Sequence, residues 1–132
     1  MAQQVLVCDD EAHILHAVSF KLSAAGFDVA QANNGREAME WLESHTPDFI
    51  ITDYQMPEVD GFQLCGFVRG RPQTAHVPII MLTAKALELS EESVKQQFQL
   101  EAVLMKPFSP RGLLDLVKKG LSVRVSQLAV VS

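Results

Sequence analysis

The chain has 132 residues, which suits one domain and leaves little room for a second. Hydrophobic residues make up 48%, enough for a core that needs neither a disulfide nor a structural metal. The formal net charge is −5, and of the scattered Lys and Arg only Lys118 and Lys119 are adjacent, which argues against a surface that binds nucleic-acid phosphates.

Val5-Leu6-Val7-Cys8 is a short apolar run suited to a strand buried on both faces, and it stops abruptly at Asp9-Asp10-Glu11. Ile14, Leu15, Val18, Leu22 and Ala25 then recur at helical spacing, with Gly26 as the stop. Phe27 to Ala30 reads as a second strand and Asn33-Asn34-Gly35 as a turn. Ala38, Trp41 and Leu42 mark a second amphipathic helix, and Pro47 closes the loop after it. The third strand, Phe49-Ile50-Ile51-Thr52, is again halted by an acid, Asp53. A loop with Pro57 and Gly61 leads to a third helix carrying Phe62, Cys65 and Val68. Val77 to Leu82 is the fourth strand, and Ser90 is placed to cap a fourth helix holding Val94 and Phe98. Ala102 to Met105 is the fifth strand. Ser109-Pro110 is an N-cap and first-turn pair that opens a fifth helix with Leu113, Leu114, Val117 and Leu121. Beyond Leu121 two readings stand. Val123 and Val125 alternate like a strand, while Leu121, Val125 and Leu128 continue a helix face.

Strands alternating with helices indicate an α/β fold with a parallel sheet. For five strands the doubly wound, flavodoxin-like order 2-1-3-4-5 sets strands one and three side by side at the switch point, where ligands bind at the strands' carboxyl ends. Asp9 and Asp10 end strand one, Asp53 ends strand three, Thr83 ends strand four and Lys106 ends strand five. Clustered carboxylates repel one another, and a divalent cation relieves the repulsion. Mg²⁺ prefers oxygen ligands and commonly takes one or two carboxylates together with a phosphate oxygen. With a lysine and a hydroxyl nearby, these are the parts for phosphoryl transfer to a carboxylate. Each residue alone has an ordinary explanation: helix-dipole acids, a loop aspartate, a threonine cap, a surface lysine. Their joint placement at one sheet edge is what the ordinary explanations fail to cover.

Cys8 and Cys65 lie in apolar segments without CxxC or metal spacing, and buried reduced thiols are the expectation. His13 and His16, three apart on the first helix, suit a solvent-facing surface better than a transition-metal site. The opening Met1-Ala2-Gln3-Gln4 lacks the basic flank and apolar run of a signal peptide, and no stretch reaches membrane-span length. A cytoplasmic protein without membrane contact is the default expectation.

Taken together, Asp9-Asp10, then Asp53 with Met56-Pro57 and Asp60-Gly61, then Thr83-Ala84, then Lys106-Pro107-Phe108 resemble the response regulator receiver domain of two-component signal transduction systems. The resemblance spans residues 4–121, with 122–132 as a C-terminal tail or linker stub. It implies that Asp53 is the phosphoacceptor of a phosphorelay and that Thr83 hydrogen-bonds the phosphoryl group. Lys106 would pair with that group, beside a cis bond to Pro107. It also implies a Mg²⁺ site in which Asp10 binds directly, Asp9 assists through water, and Asp53 and the Gln55 backbone carbonyl complete the protein ligands. The implied partners are a histidine kinase or histidine phosphotransfer protein and an unidentified downstream protein. Homodimerisation is left open. Such a domain catalyses only its own phosphorylation and dephosphorylation and is not an enzyme in the ordinary sense.

Three features set the chain apart within the family pattern. Val103 stands where an aromatic residue usually rotates on phosphorylation, Gln99-Leu100 replaces the usual Gly-Ala, and Gln55 and Lys85 occupy variable positions that tune phosphoryl lifetime. Three rival functions are weaker. A haloacid-dehalogenase-type phosphatase needs Asp-x-Asp, whereas Asp53 is followed by Tyr54-Gln55. A nucleotide or flavin binder needs a Gly- or Ser/Thr-rich loop where this chain has acids. A phosphorylation-independent pseudo-receiver keeps its standing only through Val103.

Overall fold

A computed structural model describes residues 2–84 and 90–131, with side chains up to Ser122. Lys85, read above as a tuning residue, falls outside them. The chain alternates β1 (Gln4–Cys8), α1 (Ala12–Ala24), β2 (Asp28–Ala32), α2 (Gly35–Leu42), β3 (Phe49–Asp53), α3 (Gly61–Arg69), β4 (Ile79–Thr83), α4 (Glu91–Phe98), β5 (Ala102–Met105) and α5 (Pro110–Val131). All strand pairs are parallel, and the order is β2-β1-β3-β4-β5, the flavodoxin-like arrangement expected from the apolar runs.

The period-two alternation of each strand divides the core in two. Leu6, Cys8, Ile50, Ile79 and Met81 pack on one face with Ala38, Leu42, Leu64, Val68 and Val94 of α2, α3 and α4. Val5, Val7, Phe49, Ile51, Ile80 and Leu82 pack on the other with Leu15, Val18, Leu22, Leu113 and Val117 of α1 and α5. Fully burying one such aliphatic side chain contributes about 2 kcal/mol. Two buried faces explain why β1, β3 and β4 read as continuous apolar runs.

Several boundaries differ from the sequence reading. β2 runs from Asp28 to Ala32 rather than from Phe27 to Ala30, because it is an edge strand with half-exposed residues and a weak pattern. β3 and β4 each end one residue later, at Asp53 and Thr83, since backbone pairing continues past the last apolar side chain (Asp53 with Leu82, Thr83 with Met105), and β4 begins at Ile79 rather than Val77. Asn33-Asn34-Gly35 is not a free turn: the Asn34 side chain accepts from Glu37 N and caps α2 directly. Ser90 caps α4 as expected, and Ser109 Oγ accepts from Gly112 N at the start of α5. The backbone of α5 continues to Val131, following the helical alternative for the residues after Leu121.

Candidate functional site

The strand register delivers the polar residues to one rim. β1 and β3 are neighbours, so the residues just after Cys8 stand beside those just after Thr52. Ligand oxygens of Asp9, Asp10 and Asp53 lie within 4.8 Å of one another. Asp9 and Asp53 are buried, and Asp10 faces solvent. Asp10 also lines an open cleft of about 480 Å³ with Tyr54, Gln55, Met56, Pro57 and Asp60. Gln55 is thus beside the acids, in the loop that leaves β3.

That loop is held in place by Gly61. Its N–H donates to Tyr54 O at 2.8 Å, and a Cβ there would stand 2.6 Å from Asp53 O. Asp60 opens α3 with a capping box, its side chain accepting from Gln63 N while Asp60 N donates to Gln63 Oε1. The Asp60-Gly61 pair therefore seats α3 directly under the Asp53 backbone.

Lys106 crosses from β5 into the same pocket. Its Nζ lies 3.2 Å from Asp53 Oδ1, 3.2 Å from Asp9 Oδ2 and 2.9 Å from Glu11 Oε1. Lys106 N donates to Thr83 O at 2.8 Å, tying the ends of β4 and β5 together, and Thr83 is fully buried. The Lys106–Pro107 peptide is cis. All six residues singled out from the sequence, Asp9, Asp10, Asp53, Gln55, Thr83 and Lys106, end at this rim. Glu11 was given no role beyond the helix dipole, yet it makes the shortest contact to Lys106.

The charges are strongly perturbed. Burial, then the neighbouring Asp9 charge, push the Asp53 carboxyl up to about 6 despite Lys106. Burial also raises Asp9, opposed by the Glu11 N–H bond and by Lys106. Burial alone would lower the Lys106 pKa, but the Glu11 hydrogen bond and the charges of Asp53 and Asp9 hold it well above the usual lysine range. Asp9 Oδ2 is buried and, among the described residues, has only the Lys106 ammonium beside it, at 3.2 Å. A buried carboxylate oxygen left in this condition is costly, and a hard cation with oxygen ligands relieves it. The donor set therefore fits Mg²⁺ on its chemistry.

The family model described as "Response regulator receiver domain" matches residues 5–118. The chain is a response regulator receiver domain. Over its full length this receiver domain is 36% identical to the alkaline phosphatase synthesis transcriptional regulatory protein PhoP of Bacillus subtilis (strain 168), of which it covers 53%. It thus spans about half the length of that curated relative. The chemotaxis response regulator CheY4 of Vibrio cholerae superposes with a TM-score of 0.81 at 34% identity, covering 90% of this chain and 98% of that one. The receiver domain of the sensor histidine kinase PA1611 from Pseudomonas aeruginosa, solved with magnesium in its active site cleft, gives a TM-score of 0.81 at 25% identity, covering 92% and 99%.

The family departures now have locations. Val103 is partly buried and packs into the core layer that holds Val94, Leu100 and Phe98. The aromatic residues nearby form a row instead: Tyr54 lies 4.6 Å from Phe62, and Phe62 lies 5.4 Å from Phe98, centroid to centroid. Gln99 takes the left-handed conformation, φ 55°, and Leu100 is buried beneath it. Cys8 and Cys65 are free and buried. Among the described residues no helix is long and apolar enough to cross a membrane.

Proposed function

We propose that this receiver domain is a phosphorylation-controlled switch in which Asp53 is the phosphoacceptor. The observation that carries the reading is the buried Asp53 carboxylate held between Lys106 and the paired acids Asp9 and Asp10. The phosphoryl group comes from a phosphohistidine of a histidine kinase or phosphotransfer protein. An Asp53 carboxylate oxygen forms the new O–P bond as the P–N bond to imidazole breaks. Lys106 takes up negative charge as it develops, and the Thr83 hydroxyl donates to a phosphoryl oxygen. Asp10, Asp53 and the Gln55 carbonyl would hold Mg²⁺, with Asp9 acting through water. When bound, the ion would neutralise negative charge at the site. Hydrolysis of the acyl phosphate resets the domain. The surface built from α4, β5 and α5 then shifts between two populations and changes the affinity for a downstream protein. The domain turns over only its own phosphoryl group, and it works in the cytoplasm.

Acetyl phosphate with Mg²⁺ should add one phosphoryl mass to the wild type and none to Asp53→Ala. An unmodified wild type defeats this reading. It would favour the second one, a phosphorylation-independent interaction module, for which Val103 at the usual aromatic position is the supporting observation.

A further inference from the structure

An ammonium group carries three N–H bonds, and three carboxylates surround that of Lys106. The contact to Glu11 is the shortest, at 2.9 Å. Glu11 lies outside the acidic trio whose oxygens converge. It occupies the N-cap of α1, where Ser, Thr, Asp or Asn is preferred, yet its side chain makes no capping bond. The Glu11 N–H donates instead to Asp9 Oδ1 at 2.9 Å, which orients the residue toward the pocket. Its Oε1 accepts from Lys106, and its Oε2 faces His13 Nε2 at 3.8 Å. The three acids differ in one respect. The Glu11 side chain is 43% exposed, whereas those of Asp9 and Asp53 are 0% and 5% exposed. Glu11 can turn into water and be rehydrated, and the other two cannot.

We infer that Glu11 is a displaceable placeholder on Lys106. It holds the ammonium at the rim of the pocket while Asp53 is unmodified and yields it to the phosphoryl group once that group arrives. The inference rests on the phosphoacceptor reading of Asp53 and adds a positioning residue to it. Lys106 is flanked by three carboxylates, with the Glu11 hydrogen bond the shortest contact, so an incoming phosphoryl oxygen competes with them for this donor. Glu11 is the acid whose release leaves no buried charge behind. Its strength as a competitor therefore sets how far the phosphorylated form is favoured.

Beryllofluoride, a mimic of an aspartyl phosphate, tests this on the full chain with Mg²⁺. Glu11→Gln and Glu11→Ala are each expected to bind it roughly two- to five-fold more tightly than the wild type, the size of a half-exposed ion pair removed. Glu11→Asp, with its charge kept and its reach shortened, should fall between. Nitrogen-15 NMR of the Lys106 ammonium gives a direct readout: beryllofluoride should shift the wild-type signal, and Glu11→Gln should shift it before any ligand is added. A thermal melt establishes that each variant is folded. Wild-type binding with unchanged or weaker affinity in both folded variants overturns the placeholder alone. An absence of binding by the wild type removes the phosphoacceptor reading and this one with it.

Discussion

The Asp53 carboxylate and the Lys106 ammonium meet at 3.2 Å, yet Asp53 sits at a pKa of about 6. Burial outweighs the attraction, and Asp9 adds repulsion. A carboxyl whose pKa is raised on folding stabilises the native state fully below its unfolded value, near 4, and loses that contribution as pH rises through about 6. Asp9 is shifted in the same direction. Urea unfolding of the metal-free protein should therefore show stability falling between pH 4 and 7, with on the order of 3 kcal/mol from Asp53. Asp53→Asn should flatten most of this slope and stabilise the protein at pH 7. A wild-type stability that rises steadily over that range would contradict the assignment.

Gly61→Ala places a Cβ at 2.6 Å from Asp53 O and 2.9 Å from Tyr54 Cα, both backbone atoms with no room to yield. A loss of about 2–3 kcal/mol is expected, as for overpacking elsewhere. The strain falls on the segment carrying Asp53, so acetyl phosphate labelling should slow even at temperatures where the variant stays folded. Labelling at the wild-type rate would show that the β3–α3 junction does not position the carboxylate.

Gln99 holds φ 55° without being glycine. A side chain in this region costs about 1 kcal/mol that glycine avoids. Gln99→Gly should raise stability by about 0.5–1 kcal/mol, read from the urea midpoint at unchanged m-value. A destabilised variant would mean that the Gln99 side chain makes a compensating contact.

Arg69, the last residue of α3, is a half-buried hub. Its Nε donates to Phe98 O at 2.8 Å, Nη2 to Gln99 O at 3.2 Å, and Nη1 to Val77 O at 2.7 Å with Thr74 O and Ala75 O further out. It joins the last turn of α4 to the loop before β4. Arg69→Met keeps the aliphatic stem and removes every donor, at an expected cost of about 3 kcal/mol. Amide exchange should accelerate at residues 98–100 before it does in β1 or β3. Uniform acceleration through the sheet would argue against a local anchor.

Burial pushes both thiols up to about 12, so neither Cys8 nor Cys65 is a thiolate at neutral pH. Cys8 Sγ lies 3.4 Å from Met56 Sδ, away from solvent. Iodoacetamide at pH 8 should leave the native protein unmodified by mass and add two adducts in urea. Prompt single labelling without denaturant would place one thiol at an open surface.

The fold was legible because its strands are apolar on both faces and end at polar residues, so Asp9, Asp53, Thr83 and Lys106 mark their own positions. The edge strand β2 was misplaced for the opposite reason: half-exposed residues such as Val29 and Ala30 give no sharp boundary. Asn34 was read as a turn because turns and N-caps favour the same side chain. Glu11 escaped notice because its partner lies 95 residues away. Nor could a sequence reveal Arg69, whose acceptors are all backbone carbonyls and thus independent of residue type.

Every group assigned to the chemistry sits where β1, β3, β4 and β5 finish, while the turn at Ser44 and His45 lies at the beginning of β3, the other end of that strand. The domain is therefore polarised, with a working rim and an idle one. A dye, an affinity handle or a fused partner attached near Ser44 would be separated from Asp53 by the length of a strand. It would report on the molecule without burdening the reaction.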